Sequence, residues 1–590
     1  MREMQEKPPE GADRLAGILV PSFSIRTGED LGIGDTAGVL QFIDFAAEQG
    51  YGFVQLLPIN EVGADNSPYN AISSVALEPT TIDCRPGIGL ADVTEESFRK
   101  ILAEHNFAEI SEGPVNYKAV KALKRDLLED AFYNFRDKVF GKGSERDVAF
   151  QTFCQEEEDW LDNYCIFRFL MELEGENPDW QTWDSKYQDL GSAYSFLEAS
   201  ISSGDEFKAG YWMLFFAFVQ WVARSQWKAV AEYGQKKGVR LMGDIPIGIS
   251  VASADVFANR DIFDLDWYGG APPETLFKDD EFVQKWGQNW GIPLYRWDVL
   301  KERNYDWWRQ RVAKTVEICG MFRVDHALGF YRIYSFPWNP VRNAEFLPLS
   351  HEEAAERCGG RLPGFRPRPD DTEENKQANR HEGEQYLRML IEAAGGAEII
   401  AEDLGTVPDY VRPSLAELGI AGMKVPQWEF HDGRVVRGGH YPEVSFAAYT
   451  THDHAALKVQ WNEQRDIILN AEAGSQEWND ARHFITTLLD YCSIAVTQFD
   501  EFPRYDRNFL DALFWTICLS NAGRVAIMIT DLIYSDDRIN VPGIMTDKNW
   551  TYRLPATVTE LRQGEEWKWM RDMSKNILNE TGRAIKVAQV

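Results

Sequence analysis

Carboxylate side chains stand at the ends of four short apolar segments of this sequence. They are Asp244, Asp325, Glu402 and Asp453. A charged group beside apolar residues costs free energy unless it is paired or used. One such carboxylate alone is best explained as a helix cap or an ion-pair partner. Four of them at the ends of strands that share one barrel mouth would instead form an acidic site.

Cleavage of a glycosidic bond is the chemistry that suits such a site. One carboxylate attacks the sugar carbon, one carboxylic acid protonates the leaving oxygen, and a separation of about 5–5.5 Å gives retention of configuration. Arg323 lies two residues before Asp325 on the same face of a strand and would keep Asp325 ionised. Crowding by the other carboxylates would raise the pKa of Glu402, so that it starts protonated. Asp453 could bind sugar hydroxyls and favour a distorted ring.

Eight short apolar segments are predicted to be the strands that position these side chains. They span residues 14–23, 51–59, 239–247, 320–327, 397–404, 422–430, 444–453 and 524–533. Most are apolar throughout, as expected for parallel strands covered on both faces, and the helical patterns at 38–50 and 407–419 each end in glycine. The alternation predicts an α/β fold, a (β/α)8 TIM barrel with its catalytic residues at the C-terminal strand ends. An open doubly wound sheet is less favoured, because no GxGxxG motif follows the first strand.

The predicted organisation is a single catalytic barrel over residues 13–590, with large and mainly helical insertions at the C-terminal face. Residues 75–235 form a helical insertion between the second and third strands, with helices predicted over 117–135 and 209–238. Residues 340–395 form a loop-plus-helix insertion after the fourth strand, and its polar part is either a mobile loop or a lid. The residues after the eighth strand are too few for a C-terminal β-sandwich of ~100 residues.

Composition and charge limit the partners of the chain. The formal net charge is -32, which repels the phosphates of nucleic acids and anionic membrane surfaces. No apolar run approaches the ~20 residues of a membrane span, and the N-terminal residues show no apolar signal segment. The cysteines are scattered and never form CxxC. We therefore expect a cytoplasmic protein that binds neither nucleic acid nor membrane and uses no metal or cofactor.

Several motifs resemble those of a known family. RVDH on the fourth predicted strand, AEDLG on the fifth and THD on the seventh resemble the amylomaltase family, the 4-alpha-glucanotransferases or disproportionating enzymes of the α-amylase clan. The resemblance covers nearly the whole chain and extends to residues 17–35, 67–74, 243–266, 270–277, 286–300, 421–430 and 539–555. It implies a barrel without the β-sandwich that typical α-amylases append. It also implies retaining transfer of α-1,4-glucan segments between maltooligosaccharides through a covalent aspartyl-glycosyl intermediate.

The resemblance assigns roles to individual residues. Asp325 matches the nucleophile, Glu402 the acid/base and Asp453 the stabilising carboxylate of the family. The residues that we expect to bind substrate are Tyr69, Asp244, Gln288, Trp290, Arg323, His326 and His452. Among these, Arg323 and His452 match family residues that contact the sugar at the bond being cut.

Three positions depart from the usual pattern of the family. His454 and Ile292 stand where the family usually has Asn, and Asn70 stands where it more often has Gln. These changes bear on substrate length and on the balance between transfer and hydrolysis. Transfer requires that water be kept from the glycosyl-enzyme, and the loops 67–74 and 286–293 are candidates for this role. Their aromatic side chains are Tyr69, Trp286 and Trp290.

Other functions remain open at the level of the sequence. A hydrolase of the same clan would use the same three carboxylates. A metal-dependent barrel hydrolase could use His452 and His454, which lie on one side of a strand, although only His326 adds a histidine on another predicted strand. A non-catalytic glucan-binding protein should have lost a carboxylate, and all three are present. The products released from maltotriose, with and without a chelator, distinguish these functions.

Overall fold

Eight parallel strands form a closed barrel in the computed structural model, which describes residues 13–63, 65–200, 206–274, 280–494, 504–543 and 546–585. The strands are β1 (Leu15–Leu19), β2 (Phe53–Gln55), β3 (Arg240–Ile245), β4 (Met321–Val324), β5 (Glu398–Ala401), β6 (Ala421–Lys424), β7 (Ser445–Ala447) and β8 (Arg524–Met528). Each strand pairs with its neighbours in chain order, and β8 closes the barrel by pairing with β1. Every strand of the barrel overlaps a segment predicted to be a strand, so the predicted fold class is confirmed.

Apolar side chains from all eight strands fill the interior of the barrel. They include Leu15, Phe53, Met242, Met321, Ile400, Met423, Phe446 and Ala526. Gly17 in β1 leaves room for the Phe53 ring of β2, because a Cβ atom at residue 17 would lie 2.3 Å from that ring. The outer faces of the strands pack against the surrounding helices, which explains why these segments are apolar throughout.

Helices surround the barrel and make up most of its connections. Their bounds are Thr36–Gln49, Glu95–Glu104, Phe107–Ile110, Tyr117–Lys138, Glu145–Glu156, Glu158–Leu173, Leu190–Ser200, Glu206–Lys237, Ala254–Ala258, Glu281–Trp286, Trp297–Glu302, Asp306–Val316, Asn343–Phe346, His351–Arg357, Glu373–Ala394, Val411–Leu418, Leu457–Asn470, Gln476–Tyr491, Arg507–Leu519, Ile529–Leu532, Val558–Gln563 and Lys568–Glu580. The first of these helices is capped at its N-terminus by Asp35, whose carboxylate accepts hydrogen bonds from the N–H groups of Ala37 and Gly38, and at its C-terminus by Gly50. The helices predicted over 38–50, 117–135 and 209–238 are confirmed, and the one predicted over 407–419 is shorter than expected.

The connection between β2 and β3 is mostly helical. Helix Tyr117–Lys138 buries the apolar face that the sequence predicts, namely Val120, Leu123, Leu127, Leu128, Ala131, Phe132 and Phe135. Helix Glu206–Lys237 packs beside it, and the ring centroids of Phe135 and Phe218 lie 4.9 Å apart. Gln220 of the same helix forms two hydrogen bonds of 2.8 and 2.9 Å with the backbone of Leu77. Helix Glu206–Lys237 therefore holds the segment around Leu77, which follows β2 in the chain.

A small antiparallel sheet lies outside the barrel, and the sequence analysis did not predict it. Its strands are Gln288–Tyr295, Phe263–Ala271, Ile333–Phe336 and Gly364–Arg366, in that spatial order. The strand Phe263–Ala271 alternates polar and apolar residues and ends in two glycines and an alanine, so it lacks the continuous apolar pattern of the barrel strands. At Gly270 a Cβ atom would lie 1.9 Å from the Gln288 carbonyl oxygen, which explains the glycine.

Trp286 belongs to the core beneath this sheet and not to a substrate wall, contrary to the expectation from the sequence. Its side chain is 2% exposed and its Nε1 donates a hydrogen bond of 3.1 Å to the Phe346 carbonyl. The Trp286 and Trp338 rings pack edge to face at 5.6 Å. The indole is therefore enclosed by the insertion after β4.

The insertion predicted at 340–395 is more ordered than a loop followed by a helix. The expected helix is present as Glu373–Ala394. Two short helices, Asn343–Phe346 and His351–Arg357, and the strand Gly364–Arg366 precede it. The described residues after β8 form helices and connecting segments, with no β-sandwich among them. Across the described ranges, no helix is both long enough and apolar enough to cross a membrane.

Candidate active site

The C-terminal strand ends bring together the side chains that the sequence singled out. Asp244 lies in β3, Asp325 directly follows β4 and Glu402 directly follows β5. Asp453 lies six residues after the end of β7. The backbone joins the first three ends, because the Asp325 N–H donates to the Ile245 carbonyl at 2.9 Å and the Glu402 N–H donates to the Val324 carbonyl at 3.0 Å.

Arg323 is the centre of a buried network that reaches three of the predicted site residues. Its Nη2 donates to Asp325 Oδ1 at 2.7 Å, so the contact predicted between these two residues is present. Its Nε donates to the two Asp244 carboxylate oxygens at 3.1 and 3.0 Å. The Tyr69 hydroxyl donates to Asp244 Oδ2 at 2.7 Å and accepts from Arg323 Nη2 at 3.1 Å. Burial and the neighbouring Asp244 raise the pKa of Tyr69 well above its ordinary value, so this hydroxyl keeps its proton.

Glu402 accepts two backbone hydrogen bonds at the mouth of the barrel. The donors are the N–H groups of His326, at 2.8 Å, and Leu404, at 3.0 Å. Burial, and next the charge of Asp325, raise the pKa of Glu402 to about 7, although Arg323 and the two hydrogen bonds oppose the rise. The direction agrees with the prediction from the sequence, but desolvation contributes more than the crowding by carboxylates that was expected. Glu402 can therefore hold a proton at neutral pH.

The turn at His326 connects the two carboxyl groups. Its backbone has a φ of 46°, in the left-handed region that non-glycine residues rarely adopt. His326 directly follows Asp325, and this turn directs its N–H toward Glu402, to which it donates a hydrogen bond. The Trp290 ring packs edge to face against the imidazole at 4.8 Å and donates from Nε1 to Gln288 Oε1 at 3.3 Å. Gln288 and Trp290 thus reach the site from the small sheet, and Trp290 is 38% exposed.

Asp453 is held from the segment that follows β8. Asn540 Nδ2 donates to Asp453 Oδ1 at 2.6 Å, and Arg538 Nη2 donates to the Asp453 carbonyl at 2.8 Å. His452 Nε2 lies 3.4 Å from Asp453 Oδ2. Burial acts to raise the pKa of Asp453, but the His452, Asn540 and Arg323 groups outweigh it and the pKa lies below its ordinary value. Asp453 is therefore an oriented, ionised carboxylate.

Aromatic rings enclose one side of this arrangement. The Tyr69 and His452 rings stack with centroids 5.2 Å apart and an interplanar angle of 14°. Trp550 packs against both rings at 5.9 Å. The sequence reasoning did not single out Trp550, Asn540 or Arg538 as site residues. Asn540 and Trp550 lie in the segment 539–555, and the resemblance of that segment was the only sequence signal for them. Arg538 lies just before this segment and had no such signal.

The three residues that depart from the family pattern, His454, Ile292 and Asn70, lie in different surroundings. His454 Nδ1 lies 2.9 Å from Thr451 Oγ1, and the His454 and Trp428 rings are 5.2 Å apart. The Ile292 side chain packs against Gly248, because a Cβ atom at Gly248 would lie 2.4 Å from it. Ile292 therefore faces the connection that follows β3. Asn70 donates to Asp65 Oδ2 at 2.6 Å on the exposed side of its loop.

The two histidines of the HDH motif have separate partners. His452 stacks on Tyr69, whereas His454 is hydrogen-bonded to Thr451, and burial lowers the pKa of His454 to about 4. In the portion of the chain that the structure describes, no group of three or more His, Cys, Asp or Glu residues is arranged to hold a metal ion.

Known proteins are similar to this chain in sequence. A 4-alpha-glucanotransferase of Chlamydia caviae is 29% identical over 553 residues, which cover 92% of this chain and 91% of the relative. A 4-alpha-glucanotransferase of Thermus thermophilus is 29% identical over 397 residues, which cover 66% of this chain and 68% of the relative.

Solved structures of two amylomaltases share the fold. The amylomaltase from Streptococcus agalactiae in complex with acarbose superposes with a TM-score of 0.69 at 24% identity, covering 97% of this chain and 100% of that one. The amylomaltase from Corynebacterium glutamicum superposes with a TM-score of 0.73 at 20% identity, covering 95% of this chain and 75% of that one. A family model described as 4-alpha-glucanotransferase matches residues 20–559. With most of its length matched in this way, the chain belongs to the 4-alpha-glucanotransferase family.

Proposed function

We propose that this enzyme transfers segments of α-1,4-glucans between maltooligosaccharides, with Asp325 as nucleophile and Glu402 as acid/base. The observation that carries the proposal is the contrast between two neighbouring carboxyl groups. Asp325 is ion-paired with Arg323 at 2.7 Å, whereas burial raises the pKa of Glu402 to about 7. A retaining double displacement needs this difference, with one carboxylate ready to attack and one carboxylic acid ready to donate.

In the first step Asp325 attacks the anomeric carbon of the donor glucan. Arg323 binds Oδ1 of Asp325, and Oδ2 forms the new bond to carbon. The glycosidic C–O bond breaks as Glu402 passes its proton to the leaving oxygen. The products of this step are a shortened glucan and a glycosyl ester on Asp325.

In the second step an acceptor glucan takes the place of the leaving group. Esterification removes the negative charge of Asp325, which is one of the causes of the raised pKa of Glu402. The pKa of Glu402 therefore falls in the intermediate, and the carboxylate accepts the proton of the attacking hydroxyl. The new glycosidic bond forms with the original configuration, and Asp325 is released.

Asp453 and its partners act on the sugar ring at the bond being cut. Its orientation is fixed by Asn540 and Arg538, so it can bind hydroxyls of a distorted ring near the transition state. Tyr69 and His452 offer a stacked wall for the same sugar, and Trp290 offers an exposed indole on the side of His326. Substrate binding by Asp244 is indirect, through Arg323 and Tyr69.

Transfer dominates over hydrolysis if these aromatic groups keep water from the ester. A cytoplasmic location of the enzyme is also part of this proposal. The expected absence of a metal or cofactor also stays a prediction, which the chelator in the following experiment tests.

Incubation with maltotriose, with and without EDTA, tests the proposed function. We expect glucose together with glucans longer than maltotriose, in equal amounts with and without the chelator. Glucose and maltose without longer products would indicate a hydrolase, and loss of activity with EDTA would indicate a metal enzyme. Absence of any product would indicate a binding protein. The control is Asp325→Ala, which should lower kcat by roughly 10⁴-fold or more.

A further inference from the structure

Asp531 is a buried acidic residue that the mechanism above does not use. It lies in the short helix Ile529–Leu532 directly after β8, and its residue surface is 6% exposed. The side chains around it include Leu457, Leu510, Leu513, Phe514 and Met528. Among the described residues, no ion pair to Asp531 is formed, and burial raises its pKa to about 6. A carboxylate in such surroundings has a considerable desolvation cost.

The two oxygens of Asp531 bind the two ends of one segment. Oδ2 accepts from the Thr450 hydroxyl at 2.5 Å, and Oδ1 accepts from the Leu457 N–H at 2.6 Å. Residues 450–457 connect β7 to helix Leu457–Asn470, and they carry His452 and Asp453. Asp531 therefore bridges the base of the loop that presents the proposed stabilising carboxylate.

The bond to Leu457 also replaces a missing helix cap. The N-cap of helix Leu457–Asn470 is Ala456, which has no side chain that could accept a hydrogen bond. A Ser, Thr or Asp at residue 456 could cap this helix without burying a charge in the barrel wall. Capping of this helix alone thus does not require Asp531. A carboxylate at residue 531 is needed to bind Thr450 and Leu457 at the same time.

We propose that Asp531 is a positioning residue that sets the orientation of Asp453 by fixing both ends of the loop 450–457. The inference rests on the proposed role of Asp453. The same segment after β8 reaches the centre of this loop through Arg538 and Asn540, which bind the backbone and the carboxylate of Asp453. Asp531 therefore holds the two ends of the loop, and Arg538 and Asn540, which follow Asp531 in the chain, hold its centre.

Steady-state kinetics of Asp531→Asn and Thr450→Val test this inference. The first variant keeps the size of the side chain, and the second removes only the hydroxyl that binds Oδ2. We expect each to lower kcat for disproportionation of maltotriose by about 10- to 100-fold while KM changes less than about 3-fold, because transition-state contacts depend on the position of Asp453. Thr450→Ser retains the hydroxyl and should recover kcat to within about 3-fold of the wild type. A kcat loss in Thr450→Ser as large as that in Thr450→Val would overturn the inference.

A double-mutant cycle separates positioning of Asp453 from a general structural role. In an Asp453→Asn background, with α-maltosyl fluoride as donor, adding Asp531→Asn or Thr450→Val should change the rate less than about 3-fold. Equal losses with and without the Asp453 carboxylate would show that Asp531 does not act through it. If Asp453→Asn itself has wild-type rates, the proposed role of Asp453 fails. If instead Asp453→Asn is impaired but the effects are additive, only the positioning role of Asp531 fails.

Discussion

At the scale of single residues, the two carboxyl groups of the site differ in the partners that surround them. Arg323 contributes a guanidinium that contacts Asp325 and Asp244 and is itself buried. Within the described part of the chain, Glu402 forms no such direct ion pair, and its hydrogen bonds come from the backbone N–H groups of His326 and Leu404. The different surroundings of Asp325 and Glu402, more than their identity as acids, suit them to different steps.

The pH dependence of activity follows from the raised pKa of Glu402. The acid form donates the proton, so kcat/KM on maltotriose should decline above pH about 7 by up to tenfold per pH unit. Initial rates between pH 5 and 9 measure this decline. A donor with a fluoride leaving group needs no proton, and its cleavage should show no decline in this range. An identical decline with both donors would contradict the assignment of Glu402 as the acid.

The acidic residues at the strand ends were easier to recognise in the sequence than the residues around them. Asp325, Glu402 and Arg323 could be found because each follows or lies in an apolar strand. Asn540 and Arg538 lie in an irregular segment after β8, where no periodicity marks a functional position. Trp286 is an error of the other kind, since it was expected to line the substrate site and is a core residue instead. A tryptophan in a loop that carries a motif can have either role.

At the scale of elements, close contact between β1 and β2 shapes the barrel interior. Gly17 faces the Phe53 ring, and the two strands pair in register from Gly17 with Phe53 to Leu19 with Gln55. The absence of a side chain at residue 17 is therefore a packing requirement. A larger residue must displace either the ring or the strand.

Gly17→Ala should destabilise the protein by about 1–3 kcal/mol through this overlap. The free energy of unfolding in urea measures the effect. The matched control is Gly28→Ala, because a Cβ atom at Gly28 would have no neighbour within 4 Å among the residues that the structure describes. Equal stability of Gly17→Ala and Gly28→Ala would show that the contact does not constrain the barrel.

Barrel strands were predictable because their apolar patterns are continuous, whereas the small sheet was not. Phe263–Ala271 contains Asp264 and Asp266, and Gly364–Arg366 has only three residues. Such short or polar strands are stabilised by partners that are distant in the chain, and local patterns carry little information about them. Helix Tyr117–Lys138 was predictable from its apolar face.

At the scale of the whole molecule, two buried acids make the free energy of unfolding depend on pH. The folded-state pKa is raised to about 7 for Glu402 and to about 6 for Asp531. The native protein therefore binds these protons more tightly than the unfolded chain does. The stability they contribute is fully present below pH about 4 and is lost as the pH rises through about 6 and 7.

Unfolding in urea at pH 5 and pH 8 should show this loss of stability. Glu402→Gln and Asp531→Asn should each lose less free energy of unfolding between these pH values than the wild type, because each removes one of the raised pKa values. The exposed Asp432 provides the control, and Asp432→Asn should behave as the wild type. The same pH dependence in all four proteins would contradict the assignment of these two protons.

The central claim is that Asp325 carries the glycosyl group while Glu402 moves the proton, and trapping the intermediate tests it most directly. Glu402→Gln should still react with α-maltosyl fluoride, because fluoride leaves without protonation, but it should release the ester slowly because no base activates the acceptor. Mass spectrometry of the digested protein should then find a maltosyl adduct on the peptide that contains Asp325, and Asp325→Ala should show none. An adduct on another residue, or turnover that yields the inverted product without any adduct, would contradict the account.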